Sequence, residues 1–475
     1  MKKTLISLAV LNAITGNAYA ADFGQKVEHL LNAQSVKLFG VVKPLNDSSS
    51  ASISADEANA DPSKLMTVAK GLRIKVISAK ADLGPNIDQM ALWPDNINPT
   101  HIIACNEQST GQVALQRIDI ATGEDENIIS SGLKSCDPVR ITAWGTIVFG
   151  EEAGTHGRVF EVIDPLHISN VIVSGSDGAT TTSSANVAFR PALGLVSFEG
   201  LAMYPNGVTY YGDENRPGSG NPGGAYYKFI PDTPWYGASA ISDLSQSPLV
   251  SGSIYGMRVG VHGSGPDYGQ GNEFGRGMWI PVAGDTPVNL RAAASDLKLT
   301  AYYRPEDMDI DPAALKAGNV RFCGNNTGED TQTGDHHWGE TMCITDGTLD
   351  EATDNTATPD YQLLIMGNED FAMMDNIAYQ PGTGNWVINE DGEGPVANPP
   401  RNNDIWSCLD DGADKDILSD GCIKVATLND LNAETTGGIF DATGSRYFVS
   451  VQHNVTGHGV ILEINGWKKG ERDDH

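Results

Sequence analysis

Short stretches of alternating apolar and polar residues, joined in pairs by turns, recur along most of the chain. Residues 199–214 read as a strand, a turn at Pro205–Gly207 and a second strand that ends in acids. Residues 375–391 repeat this order, with their turn at Pro381–Gly384. Alternation with a period of two is typical of strands, and Pro, Asn, Asp and Gly supply the backbone angles of tight turns. The pattern therefore predicts β-hairpins.

Looser copies of the same hairpin occupy residues 90–107, 139–152, 306–326 and 437–453, which makes six copies. Each copy has about 75 residues of chain, against roughly 40 to 50 in compact propeller repeats, so long insertions must fill the difference. Radial repetition of small antiparallel sheets protects the sheet edges in a β-propeller. We therefore predict an all-β fold: a six-bladed β-propeller with long inter-strand insertions and a short N-terminal arm. Unrelated hairpins in a sandwich or in two domains are the alternative.

The start of the chain is typical of an export signal. Two lysines follow Met1, an apolar stretch runs from Leu5 to Ile14, and small residues at Ala18 and Ala20 suit a signal peptidase. An apolar stretch of about ten residues is too short to span a bilayer. The predicted domains are a signal peptide (1–20), an N-terminal arm with the first strand (21–80) and the propeller (81–470), and the predicted location is periplasmic or secreted.

If the protein is exported, its six cysteines are expected to form disulfides, because oxidising compartments favour them. The close Cys pairs of structural zinc sites are absent from the sequence. Order along the chain suggests the local pairs Cys105–Cys136, Cys323–Cys343 and Cys408–Cys422. Six cysteines allow fifteen connectivities, and the sequence alone does not choose among them.

The chain of 475 residues is strongly acidic, with 61 Asp and Glu against 31 Lys and Arg and a formal charge of −30. This charge repels phosphate backbones and anionic membrane surfaces, which argues against nucleic-acid binding. No apolar run is long enough for a membrane span. The expected partners are divalent cations and a small-molecule substrate, and the protein is expected to be a monomer.

Acidic residues occupy the strand ends that lie opposite the hairpin turns. If the hairpins are the innermost strands of the blades, these ends meet at one mouth of the central channel. Carboxylates crowded together raise one another's pKa unless cations neutralise them, and oxygen ligands suit Ca²⁺ first, with Mg²⁺ or Mn²⁺ behind it. Strand-end acids that only bond their own turns are the alternative. The candidate metal ligands are Glu107, Glu151, Glu152, Glu199, Asp213, Glu214, Glu306, Asp375 and Glu434.

The sequence Arg304-Pro305-Glu306-Asp307 resembles a motif of the PhoX alkaline phosphatases. Further matching segments follow in the family's order across residues 64–465: Trp144-Gly145-Thr146, Glu151-Glu152, Phe198-Glu199-Gly200, Asp213-Glu214, Asp375-Asn376, Glu434 to Gly437 and Phe448 to His453. The resemblance implies a six-bladed propeller whose channel mouth holds calcium and iron ions and hydrolyses phosphate esters. It makes Glu152, Glu199, Asp213, Glu306, Asp375 and Glu434 the first metal-ligand candidates. Arg304 would grip the phosphate, and Arg304 and Glu306 are the candidate catalytic residues.

One position departs from the family pattern. Gly150 stands where the family has a cysteine that ligates iron. Loss of the soft thiolate puts Fe³⁺ in doubt and favours calcium alone. The leading hypothesis is thus a calcium-dependent phosphoesterase. The alternatives are a calcium-stabilised propeller that binds a ligand without turnover, and a calcium-dependent lactonase-like hydrolase.

Overall fold

A computed structural model describes residues 23–181, 185–218, 222–260, 274–328, 338–392, 400–411 and 419–468. The predicted signal peptide lies outside these residues. The helices are α1 (Phe23–Ala33), α2 (Ser35–Phe39), α3 (Ala55–Ala60), α4 (Leu290–Leu297), α5 (Pro312–Lys316) and α6 (Leu349–Thr353). None of the helices in this part of the chain is long and apolar enough to cross a membrane.

Strands supply most of the ordered structure, as the alternating pattern predicts. They are β1 (Met66–Val68), β2 (Arg73–Ser78), β3 (Ile87–Trp93), β4 (His101–Asn106), β5 (Leu115–Asp119), β6 (Asp125–Ser131), β7 (Cys136–Ile141), β8 (Ile147–Glu151), β9 (Val159–Val162), β10 (Val171–Ile172), β11 (Val187–Phe189), β12 (Phe198–Met203), β13 (Thr209–Asp213), β14 (Tyr226–Pro231), β15 (Gly252–Val259), β16 (Gly275–Pro281), β17 (Pro305–Ile310), β18 (Asn319–Asn326), β19 (Glu340–Thr348), β20 (Asp360–Met366), β21 (Met374–Gln380), β22 (Asn385–Glu390), β23 (Asp404–Cys408), β24 (Cys422–Leu428), β25 (Glu434–Phe440), β26 (Arg446–Gln452) and β27 (Val460–Asn465).

The strands form five hydrogen-bonded sheets. Sheet A has the order β10-β6-β5-β4-β3, sheet B β11-β9-β8-β7, sheet D β1-β24-β23-β22-β21 and sheet E β2-β27-β26-β25. Sheet C has nine strands in the order β12-β13-β14-β15-β16-β20-β19-β18-β17. All neighbours pair antiparallel except β10 and β6. The predicted all-β class is confirmed.

The sheets are arranged in a propeller-like ring around an axis. The strands β3, β7, β12, β17, β21 and β25, called the inner strands below, contact one another in this order, and β25 contacts β3 to close the ring. The apolar core lies between neighbouring sheets: Ile103 of sheet A and Phe149 of sheet B belong to one buried cluster, and Val387 of sheet D and Tyr447 of sheet E belong to another.

The chain closes the ring with a strand from its beginning. Strand β2 pairs with β27, so the last sheet contains residues from both ends of the described chain. The preceding arm packs on sheets D and E, where Phe39 and Leu65 join the buried cluster between them. Closure of this kind fixes the ring against opening, because separating the ends would break a whole strand pair.

The three disulfides join the cysteines that are neighbours along the chain. Cys105–Cys136 links sheet A to sheet B, whereas Cys323–Cys343 and Cys408–Cys422 each bridge paired strands within one sheet. No free cysteine remains. The suggested local pairing is confirmed.

Candidate metal centre at the channel mouth

Each inner strand contains a β-bulge near its start. The ladder shifts register between Phe198 and Leu201 in β12 and between Met374 and Ile377 in β21, and the other four inner strands shift likewise. A bulge inserts an extra residue and re-aims the side chains beside it. In five of these strands an apolar residue comes just before the bulge and an acid is the first residue within it; the acids are Asp88, Asp137, Glu199, Glu306 and Asp375.

The sixth inner strand has a glycine at the bulge. Gly437 has a φ of +65°, and a Cβ at this position would lie 2.2 Å from the carbonyl oxygen of Asp88. Its N–H donates to Asn376 Oδ1 at 2.8 Å. No side chain fits here, and the strand contributes Glu434 from its first residue instead.

The second strand of each hairpin ends beside these acids, and at three places it ends in an acidic doublet. In each doublet the first acid is held by an arginine outside the channel. Arg158 contacts Glu151 at 2.6 and 2.9 Å, Arg291 contacts Asp213 twice at 2.9 Å, and Arg401 contacts Glu390 at 2.5 and 2.9 Å. The second acid points into the channel because neighbouring residues in extended chain face opposite ways. These second acids are Glu152, Glu214 and Asp391.

The acids at the bulges of the inner strands and the second acids of the doublets line a cavity of about 470 Å³ at the channel mouth. Its lining consists of Asp88, Glu107, Asp137, Glu152, Glu199, Glu214, Arg216, Arg304, Glu306, Asp375, Asp391, Gly392, Asn432, Glu434 and His453. Among the described residues, no hydrophobic side chain lines it. Such a cavity is suited to cations and a polar ligand.

Two groups of three carboxylates are close enough to share ions. Glu107, Asp137 and Glu152 form one group, and Glu199, Glu306 and Asp375 form the other. Within each group, one oxygen atom from every residue lies within 4.8 Å of the others. Distances of this order fit carboxylates around one Ca²⁺, whose bonds to oxygen are about 2.3 to 2.6 Å long.

Burial and mutual repulsion raise the pKa values of several acids in the cavity. Burial raises the pKa of Asp137 and Glu199 well above the usual range, and nearby carboxylates raise them further. Burial raises the pKa of Glu306 to about 8, although Arg304 opposes the rise. Burial followed by the charge of Glu306 raises the pKa of Asp375 in the same way. The ionised forms of these carboxyls are therefore destabilised unless cations neutralise them.

Arg304 is the buried cation of the cavity. Its side chain is 9% exposed, its Nε donates to Glu214 at 2.9 Å, and an Nη atom lies 3.1 Å from Glu306 and 3.5 Å from Asp391. The backbone φ of +56° is uncommon for a residue with a side chain, and Thr327 N–H donates to the Arg304 carbonyl. The guanidinium is thereby fixed among carboxylates and faces the cavity.

Buried oxygen atoms around the cavity provide an independent test of a metal site. Asp137 Oδ1, Asp375 Oδ1, Asp391 Oδ1 and Gln452 Oε1 are buried and have no hydrogen-bond partner. An unpaired buried acceptor is costly, and a cation removes the cost. The donor set is oxygen-only apart from His453, because every cysteine is in a disulfide. These residues fit a hard divalent cation.

Gly150 lies beside this cavity in a tightly packed position. A Cβ built on it would be 2.9 Å from Phe198 Cβ and 3.0 Å from Pro138 Cγ. Contacts this short require the neighbours to shift. The space for a side chain at this position is filled by Phe198 and Pro138.

Of the nine predicted metal ligands, seven line the cavity: Glu107, Glu152, Glu199, Glu214, Glu306, Asp375 and Glu434. The structure does not bring Glu151 and Asp213 to the cavity, because each is the outward acid of its doublet and binds an arginine. Burial raises the pKa of Asp213 to about 6 despite its pairing with Arg291.

The metal-ligand prediction omitted four residues of the cavity with oxygen donors, Asp88, Asp137, Asp391 and Asn432, and one histidine, His453. Asp88 and Asp137 follow Ile87 and Cys136 at the start of their strands, as Glu199 follows Phe198. An apolar residue followed by an acid, ahead of the hairpin pattern, was the signal that would have identified Asp88 and Asp137.

Comparison with known proteins identifies a matching family and a similar fold. The sequence profile of the family described as "Alkaline phosphatase PhoX" matches residues 140–454. The structure of Pseudomonas fluorescens PhoX in complex with vanadate, a transition state analogue, is similar with a TM-score of 0.63 and 15% identity, covering 90% of this chain and 99% of that one. This likeness supports the fold.

Two further solved structures are more distant. A PQQ-bound aldose sugar dehydrogenase from Streptomyces coelicolor has a TM-score of 0.40 and 14% identity, with 84% of this chain and 99% of that chain covered. A gluconolactonase from Xanthomonas campestris has a TM-score of 0.40 and 11% identity, with 89% and 96% covered. Neither informs the activity, and no curated protein sequence matches the chain.

The family match confirms the predicted enzyme class, a phosphoric ester hydrolase. It covers most of the hairpins and includes Arg304, Glu306 and every cavity residue except Asp88, Glu107 and Asp137. The chain therefore belongs to the PhoX alkaline phosphatase family.

Proposed function

We propose that this protein is an exported, calcium-dependent phosphoesterase that hydrolyses phosphate esters at the carboxylate-lined channel mouth. The observation that carries the proposal is the buried arginine Arg304, which lies in one cavity with three carboxylates that each have a buried oxygen without a partner. These carboxylates are Asp137, Asp375 and Asp391. A cluster of carboxylates without an arginine would need only cations to neutralise it. An arginine without bound cations would only form ion pairs with the carboxylates. Together they suit a polyanionic ligand that bridges both.

The two carboxylate groups divide the work of holding ions in this proposal. Glu107, Asp137 and Glu152 would hold cations on one side, and Glu199, Glu306 and Asp375 on the other. Bound cations would neutralise the phosphate and lower the pKa of a coordinated water. Glu214, Glu434 and Asp391 also line the cavity and would supply further ligand oxygens.

Arg304 is proposed to bind the phosphoryl oxygens through its planar fork. Its Nε is already held by Glu214, and one Nη atom faces Glu306 and Asp391 in the cavity. A fork held in advance needs no reorganisation when negative charge develops on the transferring phosphoryl group. Glu306 contacts both Arg304 and the Thr327 hydroxyl, so it fixes the orientation of the guanidinium.

Calcium is proposed over iron because of the donor chemistry. The carboxylate and amide oxygens are hard ligands, which prefer Ca²⁺ or Mg²⁺. The packed position of Gly150 supplies no thiolate, and the six cysteines are paired with one another. Export supports the same assignment, since calcium is available outside the cytoplasm; the disulfides are the support for export.

The fold is assigned six blades as part of the proposal. Sheet C contains two antiparallel runs of four strands, β12 to β15 and β17 to β20, and β16 joins them through only two residue pairs with β20. A buried cluster containing Tyr210 and Phe322 lies between the runs, as clusters lie between separate sheets elsewhere. The propeller would then occupy residues 81–470, after an arm at 21–80, in a monomer.

Hydrolysis of p-nitrophenyl phosphate is the direct test of the function. Protein loaded with Ca²⁺ is expected to release p-nitrophenol near alkaline pH, and EDTA is expected to stop the release until Ca²⁺ is restored. Ions bind the carboxylates better as the pH rises, because protons compete for the same oxygens. A metal-replete protein that hydrolyses neither phosphate monoesters nor diesters would leave the ligand-binding alternative in place of this proposal.

A further inference from the structure

Arg216 is a second arginine of the same cavity, placed at its rim. Its Nε lies 3.7 Å from Glu214 Oε1, the same oxygen that accepts from Arg304 Nε at 2.9 Å. The two arginines differ in exposure, since the Arg216 side chain is 50% exposed and that of Arg304 only 9%. The Glu214 carboxylate therefore holds the buried Arg304 and the exposed Arg216 close to each other.

The Arg216 side chain lines the same cavity as Arg304. Both arginines approach one oxygen of Glu214, so the two positive charges lie close together. Because Arg216 is the more exposed of the two, it lies on the solvent side of Arg304, where the part of a substrate beyond the phosphate would extend.

The cavity offers that part of the substrate no apolar surface. Among the described residues its lining is charged or polar apart from Gly392, and the neutral or basic groups nearest the rim are Arg216, Asn432 and His453. Its volume of about 470 Å³ is larger than a single phosphate requires. Ligand sites are usually lined by apolar and aromatic side chains, so an aromatic leaving group gains little here.

We infer that Arg216 is a specificity-determining residue that selects small phosphate monoesters bearing a second anionic group, a carboxylate or another phosphate, close to the ester oxygen. The inference rests on the proposed phosphoesterase function. The reacting phosphate sits on the cations and Arg304, and the second anion pairs with Arg216, drawing it from Glu214. The guanidinium fork suits either anion.

The test compares phosphoglycolate with ethyl phosphate, which has a similar size but lacks the carboxylate. With Ca²⁺-loaded wild type, kcat/KM is expected to be about fivefold higher for phosphoglycolate, since a half-exposed ion pair is worth up to about 1 kcal/mol. Arg216→Gln is expected to bring the ratio of kcat/KM for phosphoglycolate to that for ethyl phosphate close to one. Arg73→Gln, an exposed site on β2, is the charge-matched control and retains the preference.

Calorimetric binding of the same two compounds separates this inference from the proposed function. If neither compound is turned over but wild type still binds phosphoglycolate more tightly and Arg216→Gln does not, the specificity assignment stands and hydrolysis fails. Equal binding and equal kcat/KM for the two compounds in wild type, or an equal loss for both in Arg216→Gln, would overturn it.

Discussion

Replacement of Arg304 by alanine is expected to lower kcat/KM for p-nitrophenyl phosphate by about a thousandfold while calcium remains bound. An arginine that neutralises the transferring phosphoryl group contributes on this scale, because its charge acts in a site that excludes water. The carboxylates that it contacts stay in place, since Glu214, Glu306 and Asp391 come from three different strand ends. Steady-state kinetics and calcium content of the same preparation measure both effects.

A conservative variant separates the effect of the planar guanidinium from the effect of its positive charge. Arg304→Lys keeps the positive charge but loses the planar fork, so an intermediate loss of about tenfold to a hundredfold is expected. It also covers the case in which Arg304→Ala does not fold, because three carboxylates would lose their partner. Activity of Arg304→Ala within about tenfold of wild type, with normal calcium content, would contradict the role assigned to this residue.

Removal of metal is expected to make the protein less stable as the pH rises from 5 to 8. In metal-free protein, burial raises the pKa of Glu306 to about 8 from a model-compound value of 4.5. The folded state then binds more protons than the unfolded state between about pH 4.5 and 8. The stability contributed by the protonated carboxyl is complete below pH 4.5 and is lost as the pH rises through 8.

The size of this effect is large enough to measure by thermal unfolding. A single carboxyl loses about 1.4 kcal/mol per pH unit across the window, so Glu306 alone loses about 4 kcal/mol between pH 5 and 8. Asp137 and Glu199 add to it in the same direction. The Tm of EDTA-treated protein should fall by at least about 5 °C from pH 5 to pH 8.

Calcium provides the control for this prediction. Bound Ca²⁺ stabilises the ionised carboxylates, so the calcium-loaded protein should lose little or no stability over the same range. Glu306→Gln, which has no titrating carboxyl, should show a smaller fall without metal. A metal-free wild type whose Tm is constant or rises from pH 5 to 8 would show that these acids are not crowded in solution.

The sequence was sufficient to predict that distant acids converge, because hairpin geometry decides it. The first residue of one strand and the last residue of its partner lie at the same sheet edge, whatever the loops do between hairpins. Phe198 pairs with Asp213, and Met374 with Glu390, so each hairpin has acids at both of the strand ends that meet there. Glu199 and Glu214, like Asp375 and Asp391, line the same cavity.

Which acid of a doublet faces the channel was beyond the sequence. Side chains alternate along a strand, so a shift of one residue exchanges Glu151 with Glu152, and the register depends on bulges that the alternating pattern does not reveal. The arginines that hold the outward acids come from elsewhere: Arg291 lies on helix α4, far along the chain from Asp213.

The omission of Asp88 and Asp137 from the predicted metal ligands has a related cause. The predicted copies at 90–107 and 139–152 begin two residues after Asp88 and Asp137, whereas their strands begin at Ile87 and Cys136. The bulge interrupts the alternation, so a period-two pattern starts only after it. Long insertions and the extra strand β16 likewise follow tertiary packing, and no hairpin signal marks them.

The central claim is that the inward acids bind metal, and calcium content tests it most directly. Elemental analysis after equilibrium dialysis against Ca²⁺ is predicted to find about two or more ions per chain in wild type, one for each carboxylate group. Glu152→Gln should lower this content, whereas Glu151→Gln should retain it and lower only the Tm, because it breaks the pair with Arg158. Wild type without bound divalent metal, or equal calcium loss from the two neighbouring variants, would contradict the account.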